Sequence, residues 1–144
     1  MNHVEMMRLA EKVALQSVCK RAKVGAVVLT QWGGRYTGHN HNRGYCCEGA
    51  DGRTLSTVIH AEADALLSAS GFSGGNARGA TLYVTRQPCI NCAQLITAAG
   101  IGAVYYRDAD DKTDGIEHLV AHGVFVSSAW LVGESWAERW QEGV

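Results

Sequence analysis

The 144-residue sequence has one proline, two phenylalanines and a formal net charge of only -1. Lys and Arg together number 13 against 14 Asp and Glu, so it lacks the basic surplus with which non-specific nucleic-acid binders neutralise phosphates. No apolar run approaches the roughly 20 residues that cross a bilayer, and no signal peptide is readable. These absences argue against a long nucleic-acid partner and against a membrane, and they lead us to expect a cytoplasmic protein.

Glycine and cysteine, by contrast, are plentiful. Seventeen glycines indicate many tight turns, and five cysteines without a readable secretion signal favour metal ligands or free thiols over a disulfide framework. The one proline, Pro88, stands directly before Cys89, so the single proline and two of the cysteines lie within five consecutive residues, Pro88–Cys92. The chain is long enough for one domain with a hydrophobic core, and we expect residues 1–144 to form a single domain.

Helical and strand-like apolar patterns alternate along the chain. The predicted helices are Val4–Lys20, Ile59–Ser70, Cys89–Ala99, Gly115–His122 and Trp130–Trp140, and the predicted strands are Lys23–Thr30, Arg35–Gly38, Ala80–Thr85, Gly102–Tyr106 and Val124–Val126. Residues 40–56 lack periodicity and form a loop long enough to suggest a function. Alternating strands and helices predict an α/β fold in which helices cover both faces of a sheet.

Two short motifs carry the residues that are suited to chemistry. His60-Ala61-Glu62 precedes Pro88-Cys89-Ile90-Asn91-Cys92, and one histidine with two cysteines is a ligand set that zinc prefers. Three protein ligands leave one position open for water, as in catalytic zinc sites. Both cysteines lie at the start of a predicted helix, where unpaired backbone N–H groups stabilise thiolates. Glu62 is placed to accept a proton from the zinc-activated water and to pass it to a ring nitrogen of a substrate.

The two motifs are informative mainly in combination. A C-x-x-C pair alone also fits structural zinc, a redox pair or incidental thiols, and His-x-Glu alone also fits a core histidine. Together they match the zinc-deaminase signature, H-x-E followed by P-C-x-x-C. The combination predicts a catalytic zinc site with His60, Cys89 and Cys92 as ligands and Glu62 as the catalytic residue.

From about Met6 to Val126 the sequence resembles the deoxycytidylate (dCMP) deaminase family of the zinc-dependent cytidine deaminase superfamily. The resemblance rests on the segments Val24–Val28, Gly38–Asn40, Ile59–Glu62, Gly79–Thr85, Pro88–Ala93 and Ala99–Ile101. It implies a three-layer α/β/α sandwich around a five-stranded mixed sheet. It also implies Zn²⁺-dependent hydrolytic deamination of a small-molecule nucleotide, dCMP, to dUMP and ammonia, with a glutamate as proton shuttle. Members of the family are commonly hexamers, so the resemblance further implies a homo-oligomer.

The resemblance extends to two substrate-binding residues. Asn40 matches the position whose amide holds the nucleotide sugar, and Arg21 matches an arginine near the substrate phosphate. An amide can pair with a sugar hydroxyl, and a guanidinium grips phosphate at two points. A turn-forming asparagine and a solvent-exposed arginine are the structural alternatives. The sequence departs from the family pattern at Asp64, where an asparagine is usual, and at Asp110, where a tyrosine is usual, so acidic groups are expected near the nucleotide.

Three cysteines lie outside the catalytic motif. In some relatives a cysteine near the end of the first helix and one in the following loop hold a structural zinc, together with two histidines from an insertion that this sequence lacks. Cys19, Cys46 and Cys47, with His39 or His41, would suit a second, tetrahedral zinc site. Unliganded, partly buried thiols are the alternative.

The sequence leaves three functions open. Deamination of dCMP is the leading hypothesis. A deaminase that acts on another cytosine or modified-cytosine nucleotide, or on a base in nucleic acid, would use the same zinc chemistry, although the near-neutral charge speaks against a polymer. The third hypothesis is a zinc-stabilised nucleotide-binding module without catalysis, and the presence of Glu62 argues against it.

Overall fold

A computed structural model of the chain describes residues 3–71 and 77–128. The elements in chain order are α1 (His3–Ala14), β1 (Gly25–Leu29), β2 (Arg35–His39), α2 (Ala61–Ser70), β3 (Thr81–Arg86), α3 (Ile90–Ala99), β4 (Ala103–Asp108), α4 (Asp114–Ala121) and β5 (Phe125–Ser128). Within the described residues, none of the helices is long and apolar enough to cross a membrane. The last predicted helix, Trp130–Trp140, lies outside the described residues.

The five strands form one mixed sheet in the order β2-β1-β3-β4-β5. Strand β1 pairs antiparallel with both β2 and β3, whereas β3, β4 and β5 run parallel. Parallel neighbours need a long crossover connection, and α3 and α4 supply the two that this sheet requires. The arrangement confirms the mixed five-stranded sheet that the resemblance implied.

Side-chain alternation along the strands divides the core between the two faces of the sheet. Val27 of β1 packs with Met7 of α1 on one face. Its neighbour Val28 belongs to the core cluster on the other face, which also contains Ala65 of α2 and Leu119 of α4. Because helices cover both faces, the α/β/α layering predicted from the sequence is confirmed.

The first helix is shorter than its periodicity predicted. It ends at Ala14 rather than at Lys20. The segment that follows bonds to the chain after β2 instead, since the Ser17 hydroxyl donates to the Asn40 carbonyl oxygen at 2.9 Å. Val18, which the apolar pattern counted as part of the helix, is 70% exposed. Residues 15–24 therefore run beside the end of β2.

Helix α3 keeps the end that the sequence predicted for it. Gly100 follows Ala99 with a φ of 80°, a left-handed conformation that glycine adopts without strain. Its backbone N–H donates to carbonyl oxygens of the last helical turn, those of Ile96 and Thr97. The helix begins at Ile90, so Cys89 is the residue just before it.

Candidate active site

The N-termini of α2 and α3 meet the end of β3 around a cavity of about 210 Å³. His60 is the N-cap residue of α2 and Cys89 is that of α3, and neither side chain caps its own helix. Cys92 lies in the first turn of α3. The partial positive charge of the two helix N-termini therefore stabilises the thiolate forms of the cysteines. These thiolates and the imidazole of His60 are then available as ligands for a cation.

The three predicted zinc ligands lie together. His60 Nδ1 is 3.3 Å from Cys92 Sγ and 3.7 Å from Cys89 Sγ. All three donor atoms lie within 4.8 Å of one another. A tetrahedral zinc ion with bonds of about 2.3 Å to sulfur and about 2.0 Å to nitrogen separates its ligand atoms by roughly 3.5 Å. The donor set therefore fits a zinc ion. The fold brings the histidine motif and the cysteine motif, which are separate in the sequence, next to each other.

The two thiols have very different acidities. Hydrogen bonds from Cys92 and His60 lower the pKa of Cys89 to about 3. The same hydrogen bond to Cys89, together with burial, raises the pKa of Cys92, and the bond to Cys89 also raises the pKa of His60. The shared hydrogen bond therefore favours the thiolate at Cys89 over that at Cys92, and zinc binding requires both thiols to be deprotonated.

Glu62 reaches the same cavity from the first turn of α2. Its side chain is buried, with 4% of the residue exposed. Burial disfavours the charged carboxylate and raises the pKa of Glu62 to about 7. A carboxyl group that titrates near neutral pH is suited to both accepting and donating a proton.

Asn40 lines the cavity, and its amide binds the chain segment after α1. The amide oxygen accepts the N–H of Val24 at 2.9 Å, and the amide nitrogen donates to the carbonyl oxygen of Ala22 at 2.7 Å. Each of the two amide atoms retains the capacity for one further hydrogen bond. Asn40 therefore fixes one wall of the cavity, and its contact with a sugar stays a prediction.

Arg21 is placed differently. It is exposed, and among the described residues its side chain is not part of the cavity lining. Its backbone N–H donates to a carboxylate oxygen of Glu48 at 3.2 Å. The structure brings Asn40, but not the Arg21 side chain, to the three zinc ligands, and a role for Arg21 in phosphate binding stays a prediction.

Sequence reasoning missed Arg86 and Gln87, which line the cavity beside Asp110. Arg86 Nη2 donates to Asp110 Oδ2 at 3.0 Å, and the Asp110 N–H donates to the Gln87 side-chain oxygen at 3.0 Å. Both residues stand directly before Pro88, at the end of a strand that leads into the cysteine motif. That position was the available signal, because ligands in α/β folds bind at the carboxyl ends of strands.

The two acidic departures from the family pattern have different surroundings. Asp110 lines the cavity, but Asp64 is absent from its described lining. One carboxylate oxygen of Asp64 accepts the N–H of His39 at 3.1 Å, and the other lies 3.1 Å from Nε2 of His41. A carboxylate, which only accepts hydrogen bonds, suits these two donors and ties α2 to the end of β2.

Two glycines allow close packing around the site. A Cβ atom on Gly38 would clash with the backbone of α2, lying 2.8 Å from the carbonyl carbon of Asp64. A Cβ atom on Gly115, at the start of α4, would clash with the carbonyl oxygen of Pro88 and lie 2.9 Å from the carbonyl carbon of Cys89. Gly115 therefore lets α4 support the loop that presents the first cysteine.

The remaining cysteines are only partly assembled. Cys19 and Cys47 form a disulfide, and Glu48 lies close enough to join them in a group of three potential ligands. Cys46 is an exposed free thiol outside this group. The structure thus brings together two of the three cysteines predicted for a second zinc site, but it joins them in a disulfide, which corrects the expectation of metal ligands or free thiols for this pair.

Comparison with known proteins identifies the family. The model for the cytidine and deoxycytidylate deaminase zinc-binding region matches residues 1–108. The chain belongs to this family. The matched range contains His60, Glu62, Cys89 and Cys92, and the family is one of zinc-binding proteins.

Relatives within the deaminase family align with most of the chain. Deoxycytidylate deaminase of Mycobacterium phage D29 is 37% identical over 115 residues, which cover 68% of this chain and 88% of the phage protein. The Saccharomyces cerevisiae deoxycytidylate deaminase is 35% identical over 115 residues, 72% of this chain but 36% of the yeast protein. A crystal structure of dCMP deaminase from the cyanophage S-TIM5 in complex with dCMP and dUMP is 38% identical, with a TM-score of 0.82, and covers 89% of this chain and 98% of that one.

Proposed function

We propose that this protein hydrolyses dCMP to dUMP and ammonia. The observation that carries the proposal is the convergence of His60, Cys89 and Cys92 beside a cavity that the buried Glu62 also lines. Relatives that carry the name deoxycytidylate deaminase, and the cyanophage enzyme with dCMP and dUMP bound, support the choice of substrate.

The ligand set defines what a metal would contribute. His60, Cys89 and Cys92 would hold Zn²⁺, and the chemistry that zinc supplies is Lewis-acid activation of water. With two thiolates and a neutral imidazole as ligands, the charge of Zn²⁺ would be fully cancelled. The N-termini of α2 and α3 would then supply the partial positive charge that favours deprotonation of the water.

Glu62 moves the protons in the proposed reaction. Hydrolysis forms a bond between the water oxygen and C4 of cytosine and breaks the bond from C4 to the 4-amino nitrogen, which leaves as ammonia. The carboxylate of Glu62 accepts one proton from water and donates it to the ring nitrogen N3. It then accepts the second proton from the hydroxyl group formed at C4 and donates it to the amino nitrogen, which leaves as ammonia while the C4 carbonyl forms. Burial raises the pKa of Glu62 to about 7, so the carboxyl group can both accept and donate a proton near neutral pH.

The proposal extends to the form of the protein. We propose that residues 1–144 act as one deaminase domain in the cytoplasm, where the free thiols of Cys89 and Cys92 stay reduced and able to bind zinc, whereas the buried pair Cys19 and Cys47 forms a disulfide. We also propose a homo-oligomer, with six subunits as is common in the family. Large exposed apolar side chains support subunit contacts: Trp32 is 84% exposed, Leu15 76% and Tyr45 75%.

A substrate screen tests the proposed function. Purified protein is assayed for ammonia release from dCMP, deoxycytidine, cytidine, dCTP, 5-substituted dCMP and a single-stranded oligodeoxynucleotide, and zinc is measured in the same sample. We expect dCMP to have the highest kcat/KM and the oligonucleotide to be inert. Preference for the oligonucleotide would support base editing, and stoichiometric zinc without any deamination would support a binding module.

A further inference from the structure

The cavity presents one fixed positive charge. Arg86, the last residue of β3, is the only Lys or Arg among the described residues that line it. The other ionisable lining residues include two acids, Glu62 and Asp110. A substrate that carries a phosphate would meet these two acids, and Arg86 is the group that offsets them.

The Arg86 guanidinium is held by an ion pair with Asp110. Its Nη2 donates to Asp110 at 3.0 Å, and this ion pair is half exposed, with 51% of the arginine side chain accessible. A guanidinium has five N–H donors in a planar fork. Among the described residues, Asp110 accepts one hydrogen bond from this guanidinium, so further N–H donors remain for a ligand in the cavity.

The loop that carries Asp110 is itself fixed. Gln87 is 7% exposed, and its backbone N–H donates to the Asp108 carbonyl oxygen at 2.8 Å. Its side-chain oxygen accepts the Asp110 N–H, and its side-chain nitrogen donates to the Lys112 carbonyl oxygen. These hydrogen bonds join the end of β3 to the loop after β4, so the arginine and its partner form a preorganised pair.

The position of Arg86 along the chain suits the outer end of a nucleotide. Three residues after Arg86 comes Cys89, and an extended chain covers at most about 3.6 Å per residue, so their Cα atoms lie within roughly 11 Å. The reacting base has to lie beside Glu62 and the zinc ligands. The phosphate, at the opposite end of a nucleoside monophosphate, needs a cationic partner away from these groups, and Arg86 is the half-exposed cation of the described lining.

Building on the proposed function, we propose that Arg86 binds the 5′-phosphate of the substrate and that Asp110 positions its guanidinium. An arginine holds phosphate through two parallel N–H···O bonds while the rest of its fork keeps a carboxylate partner. Arg86 is then the residue that makes the enzyme select a nucleotide over a nucleoside. The Arg21 side chain is absent from the described lining of the cavity.

Steady-state kinetics of Arg86→Gln with dCMP and with deoxycytidine tests this inference. Charge-assisted hydrogen bonds contribute enough that we expect KM for dCMP to rise about 10- to 100-fold. We expect kcat for dCMP to change little, because the chemistry at the other end of the cavity is untouched. For deoxycytidine, which has no phosphate, kcat/KM should match that of the wild type.

Three further variants separate binding from a structural effect. Arg86→Lys keeps the charge but loses the fork and should give an intermediate KM for dCMP. Asp110→Asn weakens the half-exposed pair and should raise that KM by up to about fivefold. Arg35→Gln, a matched control at the exposed start of β2, should change neither substrate's kinetics. In the dCMP assay, Arg86→Gln should raise the inhibition constant of dUMP, which carries the phosphate, and should leave that of deoxyuridine unchanged.

The possible results distinguish this inference from the proposed function. If Arg86→Gln keeps the wild-type KM for dCMP, or loses activity equally on dCMP and deoxycytidine, Arg86 does not bind the phosphate, while the deaminase function stands. If the wild-type protein fails to deaminate dCMP, both proposals are overturned.

Discussion

Glu62 is the residue on which the proposed chemistry depends most. Substitution by glutamine keeps its size and its hydrogen-bonding shape but removes the titratable proton. We expect Glu62→Gln to retain zinc and to lose at least about 100-fold in kcat, the lower range of what general acid–base catalysis contributes. Ammonia release from dCMP and zinc content, measured on the same preparation, check this.

The exposed Glu117 on α4 provides a matched control for Glu62. Glu117→Gln removes the same group from the surface and should leave both kcat and zinc content unchanged. Wild-type turnover by Glu62→Gln would mean that another group carries the proton.

Asn40 has a structural task that the sequence did not reveal. Asn40→Ala removes two hydrogen bonds to the backbone of Ala22 and Val24 and leaves those groups poorly satisfied. We expect the free energy of unfolding to fall by about 1–3 kcal/mol, as measured by urea denaturation. Asn42→Ala, which removes one exposed hydrogen bond to Cys46, is the control and should cost less. Equal stability of wild type and Asn40→Ala would contradict this role.

The ligands and Glu62 could be predicted because each motif is contiguous in the sequence and its residue types have few other joint uses. The pairing of Arg86 with Asp110 could not, because it depends on two strand ends meeting across 24 residues of chain. Arg21 was placed by its match to the family pattern before β1. Its backbone N–H bonds to Glu48 and its side chain is absent from the described cavity lining, so its role in phosphate binding stays a prediction.

Helix α4 packs against the cysteine loop of the site through its first turn. Gly115→Ala would place a methyl group against the carbonyl groups of Pro88 and Cys89, so the helix and the cysteine loop must separate. Displacement of a catalytic group by about 1 Å can cost about 100-fold in rate, and we expect a loss of this order in kcat together with weaker zinc binding. Kinetics with dCMP and a zinc competition assay measure both.

Gly102 offers the matched control for this substitution. A Cβ atom there meets its nearest neighbour at 3.7 Å, an ordinary contact. Gly102→Ala should therefore keep wild-type kinetics. A fully active Gly115→Ala variant would show that the close approach of α4 to the cysteine loop does not matter for the site.

The disulfide between Cys19 and Cys47 connects the segment after α1 with the loop after β2. It closes 28 residues of chain, for which a chain-entropy model gives about 3–4 kcal/mol of stabilisation. We expect a thiol reagent to find three thiols in the unreduced, unfolded protein, and we expect reduction to lower the Tm. Cys46→Ser is the control and should lower only the thiol count, by one.

The same measurement decides between the disulfide and the second zinc site. A count of five thiols in the unreduced, unfolded protein, together with a second equivalent of zinc in the folded protein, would contradict the disulfide and support a metal at Cys19 and Cys47.

Periodicity located every described helix and strand but not all of their ends. The helix containing Cys92 ended where expected because Gly100 stops it by a local mechanism. The end of α1 was missed because it depends on a distant partner: the hydroxyl of Ser17 bonds to Asn40, 23 residues away. Local signals are readable in a sequence, whereas contacts between distant segments are set by the fold.

For the whole molecule, the near-zero net charge now has a clearer meaning. A single nucleotide needs one or two well-placed cations, and Arg86 supplies one at the cavity, so no basic surplus is required. We expect light scattering to give a mass six times that of the 15.5 kDa chain. The mass of a single chain across micromolar concentrations would contradict the proposed oligomer.

We propose that one zinc ion, held by His60, Cys89 and Cys92, is what makes this chain a dCMP deaminase. The most direct test removes metal with a chelator, restores zinc in steps and measures dCMP turnover at each step. We expect no turnover by the metal-free protein and a rise in turnover that is linear in the zinc bound at these ligands, with its maximum at one equivalent per chain. Full turnover without metal, or none with one equivalent bound, would contradict it.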